Sequence, residues 1–294
     1  MSGAPHPASM GAIPSVARGT GVACLDAQRV LSGSQFSAAE APRTSNFKLL
    51  GSLVLFILGV AAAEMMTTYL HPQAGMGLHG AILVGVMLYS ALRLRGAAQK
   101  FLYTLALAPL IRLVNLSMPL AQFQLSYRYM VTGIPLLISA ILAWRLTGFR
   151  RESMGLCMGR GWPVQILVAL CGLGFGWLEY HILRPQPLTQ SFSLDQLWMP
   201  ALILLVFTGF LEELIFRGLM QTAAEPVLKR MGVVYISLLF AVLHTGYRSA
   251  VDVVFVFLVG LFFGLVVQRT RSLAGVTLAH GLTNITLFLI VPFV

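Results

Sequence analysis

Nine long apolar segments follow one another along most of this chain, and their length limits what it can fold into. We predict them at residues 49–70, 78–92, 101–120, 129–147, 162–180, 199–219, 232–246, 250–268 and 273–293. Most are close to the roughly 20 residues that an α-helix needs to cross a bilayer. Charged residues make up only 10% of the sequence, against roughly a quarter in a typical soluble domain. The sequence therefore predicts an all-α, polytopic membrane bundle of about eight to nine transmembrane helices over residues 47–294.

The positions of the basic residues predict how these segments are oriented. Sixteen of the 20 Lys and Arg residues fall on one side of the predicted membrane, and three fall on the other. Because cytoplasmic loops carry an excess of Lys and Arg, this asymmetry predicts a cytoplasmic N-terminus and an external C-terminus. Residues 1–46 are rich in Ala, Ser, Gly and Pro and are predicted to be a disordered cytoplasmic tail. In a bacterium the membrane would be the plasma (inner) membrane.

The net charge of +10 could suggest a nucleic-acid partner. However, the basic residues form short clusters between apolar segments rather than one continuous stripe, so we expect contact with the lipid bilayer and not with nucleic acid. The three cysteines have no metal-type spacing and form no even framework, so they predict neither a zinc ribbon nor a disulfide scaffold.

The stretch from Leu211 to Arg217 places two carboxylates and a guanidinium inside the sixth apolar segment. A charged side chain at bilayer depth costs at least about 2.5–3.5 kcal/mol on insertion scales, so such residues indicate a functional site. Glu213 and Arg217 are four residues apart and share a helix face, which predicts a supporting ion pair. Glu212 lies on a different face of the helix. It is the better candidate for a reactive carboxylate, because burial and neighbouring charges can tune a glutamate for general-base work.

Two further pairs of residues lie in separate apolar segments, Phe240 with His244 and His280 with Asn284, and the members of each pair are four residues apart. Their depths predict that three helices meet around one water-filled chamber, which opens toward the cytoplasmic half of the membrane. Hydrolysis of a peptide bond needs a base for the water and donors for the oxyanion. Glu212 would be the base and His244 would help to hold the water. His280 and Asn284 would be the donors.

Glu64 and Arg112 are also charged residues at membrane depth, and Asn115 follows Arg112 at nearly one helical turn. These side chains could form a pair between helices or line a cavity, and we favour the structural pair. Gly260 and Gly264 are small residues four apart in the eighth segment, which predicts close packing between helices.

Three motifs, each on its own predicted helix, carry a family resemblance: Glu212-Glu213-x-x-x-Arg217, Phe240-x-x-x-His244 and His280-x-x-x-Asn284. Together they resemble the signature of the CPBP (CAAX protease and bacteriocin-processing) intramembrane proteases, over about residues 199–294. The resemblance implies a glutamic endopeptidase in which Glu212 and His244 activate water while His280 and Asn284 hold the oxyanion. It also implies a membrane-associated protein or peptide as substrate. Bacterial relatives that are paired with protein-sorting systems suggest a sorting or export partner.

Other functions compete with this interpretation. Zn²⁺ accepts carboxylate and imidazole ligands, so Glu212, His244 and His280 could instead hold a catalytic zinc in a membrane protease. No His-Glu-x-x-His helix supplies a paired ligand set, and we expect neither a cofactor nor a metal. A non-catalytic membrane scaffold or immunity protein would keep the fold but would not need Glu212, His244, His280 and Asn284, which are all intact here. A transporter is less well supported, because the two halves of the chain show no internal repeat.

Overall fold

The computed structural model describes residues 46–157 and 161–294, which form helices and no strands. We number the main helices of this part α1 (Lys48–Leu70), α2 (Pro72–Arg93), α3 (Gly96–Ser117), α4 (Leu125–Thr147), α5 (Trp162–Leu183), α6 (Leu194–Leu228), α7 (Met231–Tyr247), α8 (Ala250–Thr270) and α9 (Ala274–Phe293). By length and composition, all except α7 are able to cross a membrane. The predicted all-α, multi-pass membrane bundle is confirmed. The predicted tail lies outside the described residues apart from Asn46.

Helix α6 is longer than its predicted span, because polar residues beyond Gly218 find partners inside the bundle. Gln221 donates to the carbonyl of Gly264 over 3.0 Å, and Thr222 donates to the carbonyl of Ser153 over 3.1 Å. The helix therefore continues to Leu228. Its middle is irregular, with π-helical turns at Leu204–Phe210 and Leu214–Gln221 on either side of Leu211–Glu213. Such turns shift the register of the side chains and are frequent at functional sites.

The connections from even-numbered to odd-numbered helices lie together at one end of the bundle, which we call the basic end. Gly155 accepts a hydrogen bond from the backbone N–H of Leu273 there, over 2.9 Å. Eleven described basic residues lie at or near this end: Lys48, Arg93, Arg95, Lys100, Arg145, Arg150, Arg151, Lys229, Arg230, Arg269 and Arg271. The opposite end carries Arg128, Arg184 and Arg248. The alternation predicted from the sequence is therefore kept in the fold, except that Arg217 lies inside α6.

Helix α9 packs against α5 through glycines that have no room for a side chain. A Cβ at Gly172 would overlap the carbonyl of Ala279, and one at Gly176 would overlap the carbonyl of Thr283. On the far side of the bundle, a Cβ at Gly264 would lie only 2.6 Å from the side chain of Val233 in α7. Close approach at Gly264 agrees with the packing predicted for that segment. The glycines of α5 bring α9, which carries His280 and Asn284, into the middle of the bundle.

Candidate active site

A buried ion pair lies at the centre of α6. Arg217 Nη1 is 2.8 Å from Glu213 Oε1, and the two side chains are 1% and 0% exposed. The second terminal nitrogen of Arg217 donates to the carbonyl of Gly260 in α8 over 3.2 Å. The guanidinium also lies over the ring of Phe240, 4.6 Å from its centroid. The ion pair that the spacing predicts is therefore present, and it links α6 to α7 and α8.

The same carboxylate oxygen also holds His280. Nδ1 of His280 is 2.9 Å from Glu213 Oε1, and because a carboxylate only accepts, Nδ1 must carry the hydrogen. Nε2, on the other side of the ring, lies 3.9 Å from Glu212 Oε2. That distance is too long for a hydrogen bond but short enough for electrostatic attraction if the imidazole is protonated. Glu213 thus orients the imidazole so that its free edge faces Glu212.

Glu212 and His244 line one cavity of about 260 Å³. His244 Nδ1 lies 2.9 Å from the carbonyl of Phe240 and donates to it, which leaves Nε2 as an acceptor in the neutral imidazole. Most of the other lining side chains are apolar, among them Ile111, Leu136, Phe207, Leu211, Ile215, Phe216 and Leu243. The cavity therefore offers a carboxylate and an imidazole acceptor to a water molecule within walls that suit apolar side chains.

Phe240 packs against three other rings of the site. Its ring centroid is 4.8 Å from that of Phe216, 4.6 Å from that of His244 and 6.0 Å from that of His280. The side chain itself is 4% exposed. One aromatic ring therefore contacts both imidazoles and covers the Arg217 guanidinium.

Asn284 lies outside the cavity wall and is hydrogen-bonded to Thr208. Its Nδ2 donates to Thr208 Oγ1 over 2.8 Å, and Thr208 in turn donates to the carbonyl of Leu204. Neither Asn284 nor His280 is among the residues that line the cavity. An asparagine amide has two N–H groups, so the bond to Thr208 leaves one of them for another acceptor.

A second group of charged side chains borders the cavity from α3. Arg112 lines it, and Arg112 Nε is 2.6 Å from Glu64 Oε1 in α1. The same oxygen is 3.2 Å from His79 Nε2 in α2. Glu64 and His79 are fully buried, and the Arg112 side chain is 16% exposed. The sequence left two options open for Glu64 and Arg112, and both occur: they pair between helices, and Arg112 also lines the cavity.

The cavity lies toward the end of the bundle opposite the basic end. It is bordered by Leu120 and Arg128, near the connection from α3 to α4, and by Tyr247 in the last turn of α7. The sequence predicted a chamber toward the side with the basic connections, whereas the structure places the cavity toward the other end. Residue counts along separate spans do not reveal that the side chains of α3, α4 and α7 converge near the ends of these helices that lie opposite the basic end.

Part of the chain matches a protein-family model. Residues 194–286 match the family described as Type II CAAX prenyl endopeptidase Rce1-like. Over these residues the chain is similar to the Rce1-like family. The family resemblance noted from the three motifs is thereby confirmed, and this family is one of peptide hydrolases that act on membrane-associated proteins. A search of curated proteins and a search of solved structures each return no match.

The Rce1-like segment holds all three candidate zinc ligands, but the structure does not gather them as a ligand set. Within residues 46–157 and 161–294, no group of three or more His, Cys, Asp or Glu side chains is arranged to hold a metal ion. Glu212, His244 and His280 therefore do not form a metal-ligand set in this arrangement.

Sequence reasoning missed several residues around the Rce1-like segment. Thr208 holds Asn284, and its only sequence signal is its position four residues before Glu212, on the same helix face. His79 completes the group around Glu64 and could have been noticed as an ionisable residue in the second apolar segment. The position of Arg112 in the cavity wall depends on how α3 packs against α6 and α7, which no local pattern reveals.

Proposed function

We propose that this chain is an intramembrane glutamic endopeptidase, which hydrolyses a peptide bond of a membrane-associated protein or peptide with Glu212 as the general base. The observation that best supports the proposal is that Glu212 and His244 share the wall of one cavity inside a membrane bundle. The Rce1-like match of residues 194–286 supports the reaction class independently of that geometry.

In the proposed reaction, a water molecule in the cavity gives one proton to Glu212 as its oxygen attacks the substrate carbonyl carbon. His244 Nε2 accepts a hydrogen bond from the second proton of that water, because Nδ1 is already committed to the Phe240 carbonyl. When the C–N bond breaks, Glu212 passes its proton to the leaving amine. Acid–base assistance of this kind contributes typically about 10²–10⁴-fold to the rate.

The oxyanion that forms on the substrate carbonyl needs donors, and we assign this role to His280 and Asn284. With Nδ1 donating to Glu213, His280 offers a second N–H at Nε2 when it is an imidazolium. Asn284 contributes the N–H that Thr208 does not use. Donors that are fixed before the reaction stabilise developing charge without reorganisation. Glu213, Arg217 and Phe240 would support the site by fixing the position of His280.

We further propose that the basic end faces the cytoplasm, since the excess of Lys and Arg marks that side in membrane proteins. The cavity, which lies toward the opposite end, would then receive its substrate from the non-cytoplasmic side. This orientation favours a substrate that has already been translocated, and a partner that delivers it would belong to an export or sorting system.

The test of the proposed base is Glu212→Gln, which keeps the shape of the side chain and removes the basic oxygen. The purified full chain in lipid nanodiscs is incubated with a pool of apolar synthetic peptides, and cleavage is read by mass spectrometry. We expect cleavage to fall by at least about 10²-fold while thermal unfolding stays near that of the wild type.

Glu152→Gln provides the matched control, because Glu152 lies at the basic end, has a side chain that is 35% exposed and pairs with the exposed Arg150. This variant should cleave like the wild type. Unchanged turnover in folded Glu212→Gln would remove Glu212 from the role of base.

A further inference from the structure

Arg112 has a position that a purely structural ion pair does not require. Arg112 and Asn115 follow one another by about one turn in α3, and both line the cavity that contains Glu212 and His244. An arginine at membrane depth is expensive unless its charge is balanced, and Glu64 supplies that balance through Nε. Stability would be served equally well if the whole guanidinium were enclosed.

The terminal nitrogens of Arg112 are free to bind a ligand. Among the described residues, Nη1 and Nη2 of Arg112 make no hydrogen bond, and the ion pair with Glu64 is made through Nε. Nη2 faces Gly246, where a Cβ would lie 3.7 Å away, in the turn that follows His244. The guanidinium therefore presents an unused edge with two N–H donors next to the candidate reaction centre.

The rest of this group holds the edge in place. Glu64 is fully buried and contacts both Arg112 Nε and His79 Nε2, so three helices fix the direction of the guanidinium. Arg128 is the second cationic residue of the cavity wall. Its Nε donates to the carbonyl of Phe123 at an exposed position, so no buried partner fixes this nitrogen. Arg112 is thus the preorganised cation of the cavity.

We propose that Arg112 is a specificity-determining residue that binds a carboxylate of the substrate, with Asn115 as an additional donor. A planar guanidinium with two parallel N–H groups matches a carboxylate in a bidentate manner, and such a bond is strengthened in an apolar, water-poor cavity. The substrate class is then a peptide with apolar side chains and a carboxylate close to the scissile bond. This inference rests on the proposed peptidase function.

The carboxylate could come from two sources, the C-terminus of the substrate or an Asp or Glu side chain. Three dansylated pentapeptides of Ala, Val and Leu distinguish them: one with a free C-terminal carboxylate, one C-terminal amide, and one amide with Asp in the penultimate position. Binding is measured by fluorescence with the full-length Glu212→Gln protein in nanodiscs, so that it does not depend on turnover. Cleavage of the same peptides by the wild type is measured separately.

We expect one carboxylate-bearing peptide to bind about 10- to 100-fold more tightly than the plain amide, the effect of a charge-assisted hydrogen bond. The peptide that shows this preference identifies the source of the carboxylate. Adding Arg112→Gln should remove the preference, whereas adding Arg112→Lys, which keeps a charge beside Glu64, should retain part of it. Arg128→Gln is the matched control for the second cavity arginine and should keep the preference in full.

Equal binding of all three peptides by the protein with Arg112 intact would overturn the proposal, and this result requires no Arg112 variant to fold. Loss of the preference in Arg128→Gln but not in Arg112→Gln would overturn it as well. Cleavage by the wild type without any carboxylate preference would refute the role of Arg112 and leave the peptidase function standing. Binding with the preference but no turnover would support the carboxylate site and count against the peptidase function.

Discussion

Removal of Arg217 is the sharpest test of how the candidate site is held together. Arg217→Ala deletes the donor 2.8 Å from Glu213 Oε1, the bond to the Gly260 carbonyl and the contact with the Phe240 ring. Glu213, which is fully buried, is then left with His280 as its remaining partner. Breaking a buried pair on one side typically costs about 3–5 kcal/mol, because the other charge is left uncompensated. For a domain of this size we expect the midpoint of thermal unfolding to fall by about 6–20 °C.

The matched control uses a more exposed Glu–Arg pair at a similar distance. Glu225 Oε2 is 3.0 Å from Arg271 Nη1, but the side chains are 27% and 41% exposed, so solvent screens their attraction. Glu225→Ala should therefore cost less than about 1 kcal/mol. Both variants are unfolded in the same detergent, and the transition is followed by tryptophan fluorescence. If Arg217→Ala kept wild-type stability and lost only cleavage, the structural role would be refuted and Arg217 would belong to the reaction centre.

Adding Glu213→Gln to Arg217→Ala provides a second check of the same reasoning. The amide removes the orphaned charge, and its oxygen still accepts a hydrogen bond from His280 Nδ1. We therefore expect the double variant to be more stable than Arg217→Ala alone. A double variant that is less stable by the sum of the two single effects would mean that the charges of Glu213 and Arg217 are not coupled.

Three further predictions concern topology, metal and packing. Single cysteines at Gln186 and Arg230, in a chain without its native cysteines, should react with a membrane-impermeant maleimide in intact cells only at Gln186, because we propose that the basic end faces the cytoplasm. The reverse pattern would invert the proposed orientation. The purified active chain should contain no stoichiometric zinc and should keep its activity after prolonged chelation. A content of one zinc per chain that is lost and regained together with turnover would instead establish the zinc-dependent mechanism. Gly172→Ala should lower both stability and cleavage, because the new Cβ would overlap the carbonyl of Ala279. Gly174→Ala should lower neither, because a Cβ there would have nothing within 4 Å. Equal effects of the two substitutions would contradict the close packing of α5 on α9.

The patterns that succeeded at the sequence level are those that depend on one helix. Spacing by four residues predicted the Glu213–Arg217 ion pair, and apolar length predicted the membrane bundle, because both follow from helical geometry alone. What the sequence could not provide depends on contacts between helices. The hydrogen bond of Asn284 to Thr208, the place of Arg112 in the cavity wall and the end at which the cavity lies all require the packing of α3, α6, α7 and α9.

The short helix α7 has a consequence for the lipid around it. Its α-helical part covers 12 residues, Met231–Val242, which is about 18 Å at 1.5 Å per residue. The hydrocarbon core of a bilayer is roughly 30 Å thick, so α7 is too short to match it. The turn after His244 is tied to α1, because Arg248 donates to the carbonyl of Thr68 over 2.8 Å. Local thinning of the bilayer is one way to accommodate a helix that is shorter than the hydrocarbon core, and we expect it beside α7. Turnover in vesicles should then rise as the acyl chains are shortened, with membrane thickness acting as a determinant of activity in its own right.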